Sequence, residues 1–294
     1  MSSVAAHVPV PAVGVVTVSY GSEDVLARFL DSVPRSSTRA LAVVIADNRP
    51  VANGTIEQIA GSRGASYLPM DDNLGYGGGL NAAVAALDPA IEWVLLSNPD
   101  VELGIGAVDT LLDAASTDPK IAAIGPRVLT PKGETYPSAR AIPSLRTGIG
   151  HAIFANVWTS NPWTRAYRRD ADYSPAQREA GWLSGSCLLV RRDAFAEIGG
   201  FDSAFFMYFE DVDLGYRLGR AGYKNMYEPA AVVTHTGAHA TTSDSARMII
   251  AHHESARRFL SRKYSRWYLF PVRAALTVGL RLRAAALTRH PGHH

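Results

Sequence analysis

The sequence predicts an α/β protein with a mostly parallel central sheet flanked by helices, and a helical extension at its carboxyl end. Short apolar, β-branched runs alternate with helix-patterned stretches, as in consecutive βαβ units. Those runs are apolar throughout, the mark of strands covered on both faces. The chain of 294 residues is 47% hydrophobic and 19% charged, which supplies a large core and excludes global disorder.

The first strand is Val13–Ser19. Ser22 is then expected to cap a helix whose Val25, Leu26, Phe29 and Leu30 share one face. A second strand, Leu41–Ala46, runs into Asp47-Asn48 and a turn-rich stretch to Gly54. A third, Ser66–Leu68, leads through the Gly-rich Asp71–Asn81 into an Ala-rich helix, and a fourth, Trp93–Ser97, stops at Asn98-Pro99-Asp100. Thr130–Gln177 has poor periodicity and many Pro, Ser, Arg and aromatic residues, so it is expected to form long loops over the site. An apolar strand Trp182–Val190, a short helix near Asp193–Ile198, a helix opening at Glu210 and a strand Val232–His235 complete the body, 1–240.

The remaining 241–294 is a basic, amphipathic helical extension. From Arg247 onward ten Lys and Arg face one acid, Glu254, which leaves nineteen basic against twenty-six acidic residues upstream. Thr242–Arg262 reads as one helix; a second, Val272–Leu287, follows the aromatic Trp267–Phe270 with arginines among its apolar residues. Such an element lies on an anionic membrane surface, or packs on its own domain or on a second copy in a homo-oligomer. No nucleic-acid motif accompanies the charge, so nucleic acid is not an expected partner. Met1–Gly14 lacks a basic n-region, and Pro271, Arg273, Arg281 and Arg283 interrupt Trp267–Thr288. Neither a secretory signal nor a spanning helix is expected, which predicts a cytoplasmic protein held peripherally at the membrane. The single cysteine, Cys187, excludes a disulfide framework and sits in an apolar strand as a small hydrophobe.

In parallel sheets ligands bind beyond the carboxyl ends of the strands. Ser19-Tyr20, Asp47, Asn73–Gly75 and Asn98–Asp100 all fall at such ends. Pro99 forces a turn that presents Asp100, either as an oxygen ligand for Mg²⁺ or Mn²⁺ on a diphosphate or as part of an ordinary Asn-Pro-Asp turn. His235, at the end of its own strand, either completes that metal site or is a satisfied polar group. The aromatic run Phe205–Phe209 leads straight into Glu210-Asp211-Val212-Asp213, and a carboxylate beside aromatics at a cleft edge suits a general base. Asp211 is assigned that task and Asp213 a structural pairing with Arg217, four residues on. The Gly75–Gly79 backbone is open enough to approach a nucleotide, but fits neither a dinucleotide fingerprint nor a P-loop.

Val16–Tyr20, Asp47-Asn48, Asn73–Gly75, Asn98–Asp100, Trp182–Ser186, Gly199–Asp202, Glu210–Asp213 and His235, in this order, resemble a family-2 glycosyltransferase of the GT-A (nucleotide-diphospho-sugar transferase) fold. Tyr136–Arg140, Asn161–Trp163 and Gly181–Arg192 are similar to the bacterial rhamnosyltransferases of cell-wall (arabinogalactan) linker synthesis. The resemblance implies inverting transfer of L-rhamnose from dTDP-L-rhamnose to the GlcNAc of a polyprenyl-diphosphate acceptor. It implies that Thr17, Ser19, Tyr20 and Asp47 line the nucleoside pocket, with Asn73, Gly75, Asn81 and Asn98 also on the nucleotide-sugar. Asp100 and His235 would hold Mg²⁺ or Mn²⁺, Asp211 would deprotonate the acceptor, and Trp182, Ser186 and Glu210 would shape the acceptor side. Two departures stand out: Asn98 replaces a common Asp, and Arg49–Gly54 replaces the usual Gly-Ser-x-Asp-Gly turn. The competing readings are another donor or acceptor sugar, a nucleotidyltransferase, and a non-catalytic sugar-nucleotide or lipid-binding scaffold.

Overall fold

The computed structural model describes residues 12–52, 54–144, 176–237 and 245–289. Its strands are β1 (Val13–Ser19), β2 (Leu41–Asp47), β3 (Ser66–Pro69), β4 (Trp93–Ser97), β5 (Val101–Leu103), β6 (Ile121–Leu129), β7 (Thr135–Tyr136), β8 (Ala139–Arg140), β9 (Arg178–Ala180), β10 (Trp182–Leu183), β11 (Cys187–Arg191) and β12 (Lys224–His235). The central sheet runs β3-β2-β1-β4-β11-β6-β12-β5. β3, β2, β1 and β4 are parallel, as the sequence implied. β11 then reverses direction between β4 and β6, and β5 lies antiparallel on β12, so the second half of the sheet is mixed. Both faces are covered. Val13 and Val15 of β1 pack with Leu26, Phe29, Ile45, Leu95 and Leu111, while Val16 and Val18 pack with Leu80, Leu96, Phe201 and Leu214.

Several expected elements shift. The Trp182–Val190 run divides: Trp182 and Leu183 pair with Arg140 and Ala139 in a separate ribbon, while Cys187–Arg191 enters the central sheet. Ser184-Gly185-Ser186 makes the break, because its small polar residues leave the ladder to turn over the end of β4. Ser22 does not cap with its side chain; its hydroxyl accepts from the Tyr20 N–H (3.3 Å), and its carbonyl starts the Glu23–Ser32 helix. Of the expected loop region, residues 145–175 lie outside the described residues, including Asn161–Trp163. So does the expected boundary at 240/241.

The carboxyl-terminal part contains helices Ser245–Lys263 and Phe270–Arg289. The first packs on the body of its own chain. Phe259 is fully buried in a cluster with Phe205, Val212, Phe209, Tyr216 and Trp182, and Ser255 Oγ donates to Met207 O (2.8 Å). The second, Phe270–Arg289, carries arginines interspersed among its apolar residues along the sequence. Among the described residues no helix is long and apolar enough to cross a membrane.

Candidate active site

Strand register explains how distant residues meet at the carboxyl ends of the sheet. Ser19 stands beside Asp47 in the β1–β2 register, and Thr17 beside Ser97 in β1–β4. Asp47 is fully buried; its Oδ1 accepts from the Arg49 N–H and its Oδ2 from the Tyr67 hydroxyl, both at 3.1 Å. Burial and that carboxylate push the Tyr67 phenol up to about 12. Tyr20 is exposed at the mouth with the Arg49 guanidinium 5.0 Å over its ring. Thr17 Oγ1, Ser19 Oγ and Asn48 Oδ1 are buried without a hydrogen-bond partner among the described residues.

Asn98 and Asp100 follow β4. The Pro99 turn passes directly into β5, and the β5–β12 register sets Val101 opposite His235. The Thr236 N–H closes on Asp100 O (3.0 Å), and Asp100 Oδ1 lies 3.0 Å from His235 Nε2. Asn98 Nδ2 lies 3.3 Å from the same ring nitrogen. A carboxylate oxygen and an imidazole nitrogen thus converge on one point. Among the described residues no group of three or more His, Cys, Asp or Glu is placed to hold an ion. Two protein donors fit a divalent cation whose remaining positions are filled by phosphate oxygens and water.

One loop joins this end to Asp211. The Asn98 N–H donates to Ser186 O (2.9 Å), and the Gly185 N–H donates to Asp211 Oδ2 (2.9 Å). Tyr76 fastens the same loop, its hydroxyl donating to Gly185 O at 2.5 Å. Asp211 lies in the first turn of the Glu210–Arg220 helix, and burial raises its carboxyl above the ordinary range. Glu210 is buried behind it with Oε2 unpartnered among the described residues, and burial, with the neighbouring Asp211 charge, pushes it up to about 8. Tyr208 and Phe209, immediately before these acids, hold φ of 66° and 65°, a left-handed conformation unfavourable for bulky residues. The aromatic run is therefore strained where it presents the carboxylates.

That strain is held from two sides. Tyr76 N–H donates to Phe206 O (3.3 Å), and a Cβ on Gly75 would fall 2.2 Å from that same oxygen, at a φ of +71°. From the other side, Arg262 of the Ser245–Lys263 helix binds Asp202 and, at 2.5 Å, Asp213. Asp213 pairs with Arg217 (2.6 Å) as its spacing suggested, but inside the protein: it is fully buried and also bound by Arg262.

Three further expectations change. Asn81 turns away from the nucleotide side, its Nδ2 donating to Phe201 O (2.8 Å) and its Oδ1 accepting from the Phe201 N–H (2.9 Å). The Gly75–Gly79 backbone approaches protein instead of a nucleotide: a Cβ on Gly77 would lie 2.8 Å from Phe201 Cβ. Asn73 serves this turn, its Oδ1 accepting from the Gly75 N–H (3.0 Å). Of the residues expected on the acceptor side, Ser186 is buried, its Oγ 3.1 Å from Ser184 Oγ, and the Trp182 indole N–H donates to Ala141 O (3.0 Å). Cys187 is buried as expected, its thiol pushed up to about 12. Tyr76 has no expected role of its own from the sequence, and Arg140 enters only as the end of the Tyr136–Arg140 resemblance; in the structure Tyr76 bonds Gly185, and Arg140 lies close enough to act on Asp211.

A parallel half-sheet with an Asp-His pair at one strand end and a buried carboxylate across a short loop is the layout of a sugar-nucleotide transferase. Residues 10–268 match the family described as glycosyltransferase-like family 2, and the chain belongs to it. Over 284 residues, 94% of this chain and 92% of the relative, it is 44% identical to the N-acetylglucosaminyl-diphospho-decaprenol L-rhamnosyltransferase of Mycobacterium tuberculosis. It is 28% identical over 258 residues to the rhamnosyltransferase WbbL of Escherichia coli, covering 85% of this chain and 92% of that one. Among solved structures it is similar to a mannosyltransferase from Pyrobaculum calidifontis in complex with GDP-Man and Mn²⁺, with a TM-score of 0.56 and 15% identity over 97% of this chain and 77% of that one. GalNAc-T7 with UDP, GalNAc and Mn²⁺ gives the same TM-score at 13% identity, covering 84% of this chain and 47% of that one. The fold is GT-A.

Proposed function

We propose that this enzyme transfers L-rhamnose from dTDP-L-rhamnose to the GlcNAc of a polyprenyl-diphosphate acceptor, with inversion at the anomeric carbon. The observation that carries the reading is the 44% identity across 94% of the chain to a transferase named for that acceptor and that sugar. In this reading Thr17, Ser19, Tyr20 and Asp47 would form the nucleoside end, and Asp100 with His235 would hold Mg²⁺ or Mn²⁺ on the donor diphosphate. A divalent ion there neutralises charge on the departing diphosphate, an effect of several kcal/mol.

Asp211 accepts the proton of the acceptor hydroxyl as that oxygen attacks. The Gly185 N–H orients the carboxylate, and burial raises its affinity for a proton toward the range useful in catalysis. Burial and the neighbouring Asp211 charge push Glu210 up to about 8, so that burial of the pair favours a proton held between the two carboxyls. On the lipid side, Trp267, Tyr268 and Phe270 are exposed beside Arg266 and Arg273 at the head of the last helix. This aromatic and basic edge supports a peripheral position at the inner face of the membrane, on the side from which a polyprenyl carrier would be reached.

The test is incubation with dTDP-L-rhamnose, Mn²⁺ or Mg²⁺ and a short-chain prenyl-diphosphate-GlcNAc, read by mass spectrometry. A rhamnosyl-GlcNAc product that disappears with a chelator is the expected result. Transfer only from other sugar nucleotides refutes the donor, and binding without transfer from any donor leaves the scaffold reading.

A further inference from the structure

Arg140 has no part in the chemistry above, yet it is built into the same cleft. Its partner in the β8–β10 ribbon is Trp182, and its guanidinium lies 5.9 Å from the Trp182 ring centroid and 5.8 Å from that of Tyr136. Nε donates to Pro137 O at 2.9 Å, which fixes the plane of the fork. Among the described residues no carboxylate pairs with it. Two aromatic faces and one carbonyl therefore hold a cation whose terminal amino groups bond no other group among the described residues, in a planar fork that suits bidentate contact with an oxyanion.

Its position selects the anion. β10 leads into the Ser184–Ser186 loop, which grips Asp211 through the Gly185 N–H and reaches Asn98 through Ser186 O. Asp100 and His235 belong to the Asn98 end of that loop, and Arg140 to the Trp182 end. Its charge acts on Asp211, holding the carboxyl down against the rise caused by burial. The donor diphosphate is accounted for at Asp100, so an anion approaching from the Trp182 end arrives with the acceptor.

We propose that Arg140 binds the diphosphate of the lipid-linked acceptor, so that the sugar between diphosphate and carboxylate presents its hydroxyl to Asp211. The inference rests on the acceptor class proposed above, whose phosphates are attached to the sugar being glycosylated. A planar guanidinium held against aromatic rings suits a phosphate pair, and its contact excludes uncharged glycosides as competing acceptors.

The experiment measures, by calorimetry, the affinity of two probes for wild type, Arg140→Met and Arg140→Lys. One probe is a short prenyl-diphosphate-GlcNAc, and the other carries the same prenyl chain on GlcNAc through a neutral ether. The preference for the diphosphate probe is expected to fall about 10- to 100-fold in Arg140→Met and to recover in part in Arg140→Lys. An unchanged preference overturns the proposal. So does a parallel loss of both probes, which marks a packing role, and so does a loss of dTDP affinity exceeding that of the diphosphate probe, which moves Arg140 to the donor. Transfer measured on the same samples separates this proposal from the reaction. Transfer with an unchanged preference refutes Arg140 alone, whereas a lost preference without any transfer from dTDP-L-rhamnose refutes the donor and leaves the diphosphate site standing.

Discussion

Phe259→Ala probes whether the Ser245–Lys263 helix is an integral part of the catalytic body. The ring is fully buried, tilted on Phe209 with centroids 5.8 Å apart and edge-on to Tyr216 at 5.7 Å. Burying an aromatic side chain removes at least about 150 Å² from water, which at about 25 cal/mol per Å² gives roughly 4 kcal/mol. Measured Phe→Ala truncations in cores span about 3–5 kcal/mol, so the two routes agree. Urea unfolding followed by tryptophan fluorescence reads the loss, with a fall in Tm of about 8–15 °C expected for a domain of this size. The rate of transfer falls with it, because the same helix holds Met207 through Ser255 and Asp202 through Arg262. A change in stability below about 0.5 kcal/mol, the level of an exposed substitution, refutes the packing argument.

Glu210→Gln tests the buried pair. Glu210 binds its proton more tightly folded (about 8) than at its ordinary value of 4.5, so the unfolded chain holds fewer protons between those pH values and stability falls as pH rises through that window. The substitution removes this slope: its Tm is expected to gain on wild type steadily from pH 5 to pH 8, and a constant difference contradicts the assignment. His235→Ala is expected to raise the Mn²⁺ concentration for half-maximal transfer by about 10-fold or more, and an unchanged requirement removes His235 from the metal site. Gly75→Ala combines a strained φ of +71° with a Cβ 2.2 Å from a backbone oxygen. It is expected to lose more than about 2 kcal/mol and to slow transfer by displacing Phe206, whereas wild-type Tm and rate contradict it.

The strands that locate the site were legible because β1, β2 and β4 are short, apolar throughout and followed by polar residues. β6 was not, since Gly125-Pro126 interrupts it and reads as a turn; in the structure β6 nevertheless runs through both residues. Asp211 could be singled out from its own neighbourhood, aromatics followed by acids. Its relation to Gly185 could not, because that contact depends on a loop 26 residues upstream in sequence. Asp100 and His235 are 135 residues apart and meet only through the β5–β12 register, which no local pattern encodes. Asn81 misled for the opposite reason: a polar residue one helical stretch beyond Gly75 suits a ligand equally well as it suits the Phe201 backbone. For the basic extension the sequence left membrane surface, own domain and second copy open; the contacts of Phe259 and Arg262 show the Ser245–Lys263 helix packed on its own domain.

The most direct test of the account is Asp211→Asn. The substitution keeps the side-chain shape and an oxygen to accept from the Gly185 N–H, but removes the proton acceptor. Titration with dTDP and single-turnover transfer from dTDP-L-rhamnose are measured on the same preparation. The account predicts dTDP affinity within about twofold of wild type and transfer slowed by about 10²–10⁴-fold. Transfer at the wild-type rate would contradict it and return the search for the base to the other carboxylates of the cleft.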